Sequence, residues 1–99
     1  MSTESTVSEI AAELSHAIGL PEDKLLHLGL LSLIEKEIRL TEADIADLID
    51  RYNVASKEGL YEAIKYKKIP SHPAWEDYIV WNNKEKYINE LKARLSMGR

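Results

Sequence analysis

An all-α fold of about five helices, in a small bundle with a long last helix, is what this sequence predicts, and three observations predict it. Apolar residues recur at three- and four-residue spacing, and valine and isoleucine never gather into the alternating runs of a strand. Helix-opening and helix-closing residues, among them Thr6, Gly19, Thr41, Ser56 and Pro73, fall at the edges of those stretches. The composition, 44% hydrophobic and 30% charged, is that of a folded helical chain and not a disordered one.

Ninety-nine residues make a single small helical domain. Its expected parts are a flexible N-terminus over 1–6, a four-helix region over 7–69 and a long C-terminal helix over 73–97. Thr6 followed by Glu9 has capping-box spacing and opens a first helix with Val7, Ile10, Leu14 and Ile18 on one face. Gly19 supplies a left-handed residue to end it. Pro21 suits the first turn of a second helix, expected to run to about Arg39.

Leucines and isoleucines from Leu25 to Ile38 cover much of the circumference of that second helix. A helix apolar on more than one side is either central in its domain or shared between subunits. On the second reading the chain is a homodimer, with Leu26, Leu30, Leu33 and Ile34 at the interface. Thr41, with Asp44 three residues on, opens a third helix whose inner face is Ile45, Leu48, Ile49 and Tyr52. Asn53-Val54-Ala55 turns the chain, and Ser56 caps a fourth helix with Leu60, Tyr61 and Ile64 inside and Glu58 matched to the helix dipole.

Pro70 and Pro73 disfavour helix at the residue before each, so a fifth helix starts near Pro73 and runs to Met97, on the order of 35 Å. At 100° per residue Trp75, Tyr78 and Ile79 point one way, and Ile88, Leu91 and Leu95 more than a quarter-turn away. The first group is expected to lock the helix start onto the domain. Trp81, Ile88, Leu91 and Leu95 then form a seam on a charged arm that binds a protein partner. The bland alternative is a surface helix with a fraying tail.

No reaction chemistry is visible. Without cysteine there is no disulfide, thiolate nucleophile or cysteine zinc site. His72 and Glu76 lie four apart, but two ligands make no specific metal site, and His16 and His27 belong to no matching motif. Glu76 and Asp77 instead suit a helix start, with Ser71 or His72 as its N-cap. Glycine-rich phosphate loops and nucleophile elbows are absent, so no catalytic residue, metal or cofactor is assigned and the chain is not expected to be an enzyme.

The net charge of −4 argues against general nucleic-acid binding. A local alternative is a small DNA-binding regulator using the third and fourth helices, through Lys57, Lys65, Lys67 and Lys68. Its turn is long and lacks glycine, and the fourth helix has no run of base-reading side chains. No apolar run approaches the ~20 residues that span a bilayer, and the polar, acidic start lacks a signal pattern. The expectation is a cytoplasmic protein without membrane contact.

Two segments carry a resemblance. Arg51 to Ile64 holds Tyr52, Val54 and Ser56 in a Tyr-x-Val-x-Ser turn, and His72 to Trp81 holds Glu76, Asp77, Tyr78 and Trp81 in a Glu-Asp-aromatic-x-x-Trp helix. Together they resemble a small all-helical, often archaeal, antitoxin-like protein. The resemblance implies a dimeric, non-enzymatic protein that occludes a toxin's active site with its C-terminal helix. An acidic chain would complement a basic RNA-handling toxin.

Overall fold

A computed structural model of the chain describes residues 3–99, with side chains from Thr6 onward. Among these residues there are four helices and no strand: α1 (Thr3–Ile18), α2 (Glu22–Tyr52), α3 (Lys57–Lys65) and α4 (Ser71–Gly98). The all-α expectation holds; the count of five does not. Met1 and Ser2, part of the expected flexible segment, lie outside the described residues, and α1 already runs from Thr3. Thr6 is therefore inside the helix and not its cap, since no residue of Thr3-Glu4-Ser5 breaks a helix.

The second and third expected helices are one. Nothing between Arg39 and Asp44 ends a helix, and α2 continues for 31 residues, about 46 Å. Thr41 does not open a new element. It is buried, and its hydroxyl donates to the Glu37 carbonyl one turn back at 2.8 Å, a bond that a mid-helix threonine makes.

The turns follow the sequence more closely. Gly19 takes φ +81° and its N–H meets the Ser15 carbonyl at 2.9 Å, closing α1. Asn53 adopts the left-handed conformation (φ 51°, ψ 48°) at the end of α2. Ser56 caps α3, its hydroxyl accepting from the Gly59 N–H at 3.2 Å. His72 is extended (φ −117°, ψ 127°), so regular helix in α4 resumes at Pro73, where the sequence puts it. Neither Ser71 nor His72 makes a side-chain cap bond to the backbone; His72 Nδ1 instead lies 3.0 Å from Glu76 Oε1.

The core lies between the C-terminal part of α2, α3 and α4. Leu48, Leu60, Ala74 and Trp81 form one cluster, and Ile38, Ile88 and Leu91 a second. Both follow one seam. On α2 it is Ile34, Ile38, Thr41, Ile45, Leu48 and Tyr52, at alternating spacings of four and three. On α4, Ala74, Trp81, Ile88 and Leu95 recur every seventh residue. This is the pattern of two helices packed as a coiled-coil pair.

Polar contacts give its direction. Arg51 pairs with Asp77, Lys84 with Asp44 and Arg99 with Glu35, so α2 and α4 run antiparallel. These exposed pairs each add little to stability.

α4 covers α2 only as far as Leu31, whose Cδ2 lies 2.7 Å from where a Cβ on Gly98 would sit. Beyond that point α1 and the start of α2, as far as Leu30, form a hairpin that projects from the body. The molecule measures 60 × 31 × 18 Å with a radius of gyration of 20.0 Å, against roughly 13 Å for a compact domain of this length.

Candidate protein-interaction surface

The projecting hairpin carries a run of exposed large aliphatic side chains on both of its helices. Its α1 stripe, Val7, Ile10, Leu14 and Ile18, has only the short N-terminal part of α2 to pack on and stays largely open; Val7 is 59% exposed. On α2, Leu26 is 65%, Leu30 54% and Leu33 55% exposed. Among the residues whose side chains are described, no hydrophobic one before Ile38 is buried. Leaving this many large aliphatic side chains in water sacrifices roughly 1.5–3 kcal/mol for each one that burial would gain.

Between the helices runs an apolar groove of about 300 Å³, lined by Val7, Ala11 and Leu14 of α1 and by Leu25, Leu26 and Gly29 of α2, with Glu22 also in its lining. A second groove, about 380 Å³, lies between α2 and α4 but mixes Ile45 and Ile88 with Glu42, Glu85 and Lys92. An apolar groove between helices suits an amphipathic helix; a mixed one is ordinary helical surface.

The residues singled out from the sequence separate into two groups. Leu26 and Leu30 are exposed on the hairpin, Leu33 is exposed just past its base on the α4-covered part of α2, and Ile34 is half-buried at the edge of the second core cluster. Trp81, Ile88, Leu91 and Leu95, expected on a free arm, are on the seam against α2. Trp81 is 2% exposed, Ile88 and Leu91 are buried, and Leu95 packs beside them. The physical reason is geometric: the long α2 supplies an apolar stripe that matches α4 along its length, and burying both outweighs exposing either.

The aromatic assignment is reversed. Trp75, expected to lock α4 down, is 44% exposed and stacks on Tyr78 (centroids 5.4 Å, planes 13° apart), with Tyr61 close to both. Trp81 takes the core position beside Leu60.

The four lysines divide into Lys57 and a group of three. Lys57 Nζ is 2.6 Å from Asn82 Oδ1 and 3.4 Å from Glu85, tied into the α3–α4 packing. Lys65, Lys67 and Lys68 are exposed around the connection after α3, where Lys67 has φ 57°. The exposed side of α3 also presents Glu58 and Glu62, so it is not a basic recognition face.

Electrostatics at the start of α4 is local. The Glu76 carboxyl is held below its usual range by a backbone hydrogen bond and then by His72. Among the described residues no group of three His, Asp or Glu side chains could hold a metal ion. No helix among them is long and apolar enough to cross a membrane.

Sequence reasoning picked out part of the hairpin surface through the leucines of α2 but gave Val7, Ile10 and Leu14 only as one face of the first helix, with no partner assigned. The signal was present. Their stripe is as long as the part of α2 available to cover it, and that part was already apolar on several sides.

A family model described as "Uncharacterized protein MJ0235 family" matches residues 1–97. No curated protein and no solved structure matches the chain.

Proposed function

The chain belongs to the Uncharacterized protein MJ0235 family, and from this member's geometry we propose that it is a non-enzymatic protein–protein interaction module whose binding surface is the α1–α2 hairpin. The observation that carries this is the exposure of Val7, Ile10, Leu14, Leu26 and Leu30 on one projecting element, while the rest of the chain builds a core of its own. Contiguous apolar exposure on that scale marks an interaction site in a small protein.

The antitoxin-like role is one form of this reading. It requires the toxin-facing surface to move from α4, where Trp81, Ile88 and Leu91 are occupied, to the hairpin. The regulator reading would rest on Lys65, Lys67 and Lys68 alone, because Lys57 is engaged by Asn82 and Glu85.

The test compares complexes recovered with the tagged full chain from its native host, measured by native mass spectrometry. Leu26→Glu with Leu30→Glu is expected to abolish them, and a Lys65, Lys67, Lys68→Ala triple variant to leave them unchanged. Complexes that survive the glutamates and vanish with the lysines would refute the hairpin as the binding surface.

A further inference from the structure

We infer that the occupant of the hairpin groove is a second copy of this chain, the two hairpins packing about a two-fold axis as a four-helix bundle. This rests on the hairpin being the binding surface and adds the identity of its partner.

Area is the first argument. A compact monomer of 11.3 kDa exposes roughly 5,700 Å². This chain exposes 7436 Å². The excess is roughly 1,700 Å² per chain, relative to that scaling. That excess belongs to the whole elongated molecule, so about 3,400 Å² is the ceiling that pairing two copies could remove, and this ceiling is inside the ~2,000–5,000 Å² range of obligate homodimers. Obligate interfaces also resemble a domain core cut in half, which describes a surface of leucine, isoleucine and valine.

Shape is the second argument. An isologous contact needs one surface that is both knob and hole. The hairpin supplies both: a groove whose lining includes the small residues Ala11 and Gly29, and the large exposed leucines Leu14, Leu26 and Leu30 in the same lining. A Cβ on Gly29 would meet nothing within 4 Å inside the chain, so the groove at Gly29 is open to a neighbouring helix. Helices this long, joined by a short turn, are the unit from which two-chain four-helix bundles are built.

Charge sets a discriminating condition. The hairpin carries Glu9, Glu13, Glu22 and Asp23 against Lys24. Two such hairpins repel each other weakly, so a homodimer held by apolar contact tightens as salt screens its charges. A cationic partner helix would be released by salt instead.

The full chain at micromolar concentration is examined by sedimentation velocity. The expected mass is twice 11.3 kDa, with tighter association at higher salt. Leu26→Glu with Leu30→Glu is expected to give single-copy mass. Both leucines are exposed in the monomer, so the near-ultraviolet signal of the Trp81 core should persist. Single-copy mass for the unaltered chain, or a dimer unaffected by the two glutamates, overturns the inference. If the unaltered chain is a single copy but the glutamates still abolish its native-host complexes, self-pairing is wrong and the interaction reading stands.

Discussion

Tyr52 donates its hydroxyl to the carboxylate of Asp77, and this bond ties the last residue of α2 to the start of α4. Asp77 also accepts from Arg51 Nη1 at 3.0 Å. The bond closes the wide end of the seam, next to the Leu48–Trp81 cluster, where Tyr52 packs its ring.

Burial, and then the hydrogen bond to Asp77, push the Tyr52 hydroxyl above its ordinary value of 10.0. Tyr87 is raised as well, first by burial and then by Glu37. A raised folded-state value means that the folded chain keeps a proton the unfolded chain loses. The stabilisation is complete below pH 10 and disappears as pH rises through the folded-state values. Tyr52→Phe is expected to cost about 1 kcal/mol at neutral pH. Urea unfolding of the two chains should show that difference shrink above pH 10; a difference constant with pH would contradict the linkage.

Trp81 and Trp75 give a paired prediction. Trp81→Ala should cost about 3–5 kcal/mol, a large share of the stability of so small a domain. Trp75→Ala should cost far less, because that ring is already 44% exposed. Quenching of fluorescence by a soluble quencher checks the assignment. Trp75→Phe should leave a protected emission from Trp81, and Trp81→Phe a readily quenched one from Trp75.

The exchange of roles between these tryptophans shows what could be read from the sequence. Turns were legible because their chemistry is local: Gly19, Asn53 and Pro73 act through their own backbone, and Ser56 through a hydroxyl that reaches only to Gly59. The α2–α4 seam was not, because two of its positions are Ala74 and Thr41. Neither counts as a strong apolar signal, so the stripe on the last helix seemed to start at Trp75 and to change face. With Ala74 included, Trp81, Ile88 and Leu95 fall on a single seven-residue repeat. The hairpin leucines were legible as a shared surface. That α1 belongs to that surface was not, because this depends on where α4 stops, at Leu31.

Thr41 offers a test of the continuous α2. If it capped a helix, removing its hydroxyl would cost on the order of 1 kcal/mol. In the observed structure the hydroxyl only adds a second bond to a carbonyl already within a helix, and the side chain lies in the seam. Thr41→Val keeps the branched shape and replaces a buried hydroxyl by a methyl group. It is expected to be neutral or to stabilise by up to about 1 kcal/mol in thermal or urea unfolding.

Truncation after Asn82 separates the free-arm picture from the seam. If the last part of α4 were an independent arm, its loss would leave the domain folded and reduce helicity only by the residues removed. The seam predicts otherwise. Removing Ile88, Leu91 and Leu95 uncovers Ile34 and Ile38, and it also removes Lys84 from Asp44 and Glu85 from Lys57. What remains of α4 covers only the Leu48–Trp81 cluster, and the long α2 loses support over its middle. Helix formation in isolation is marginal, so α2 should fray from Ile38 toward the hairpin once its cover is gone. Circular dichroism should show a helicity loss well beyond that of the deleted residues, and hydrogen exchange should show lost protection around Ile34–Thr41. A truncated chain that keeps that protection would mean α2 is held there by something other than α4.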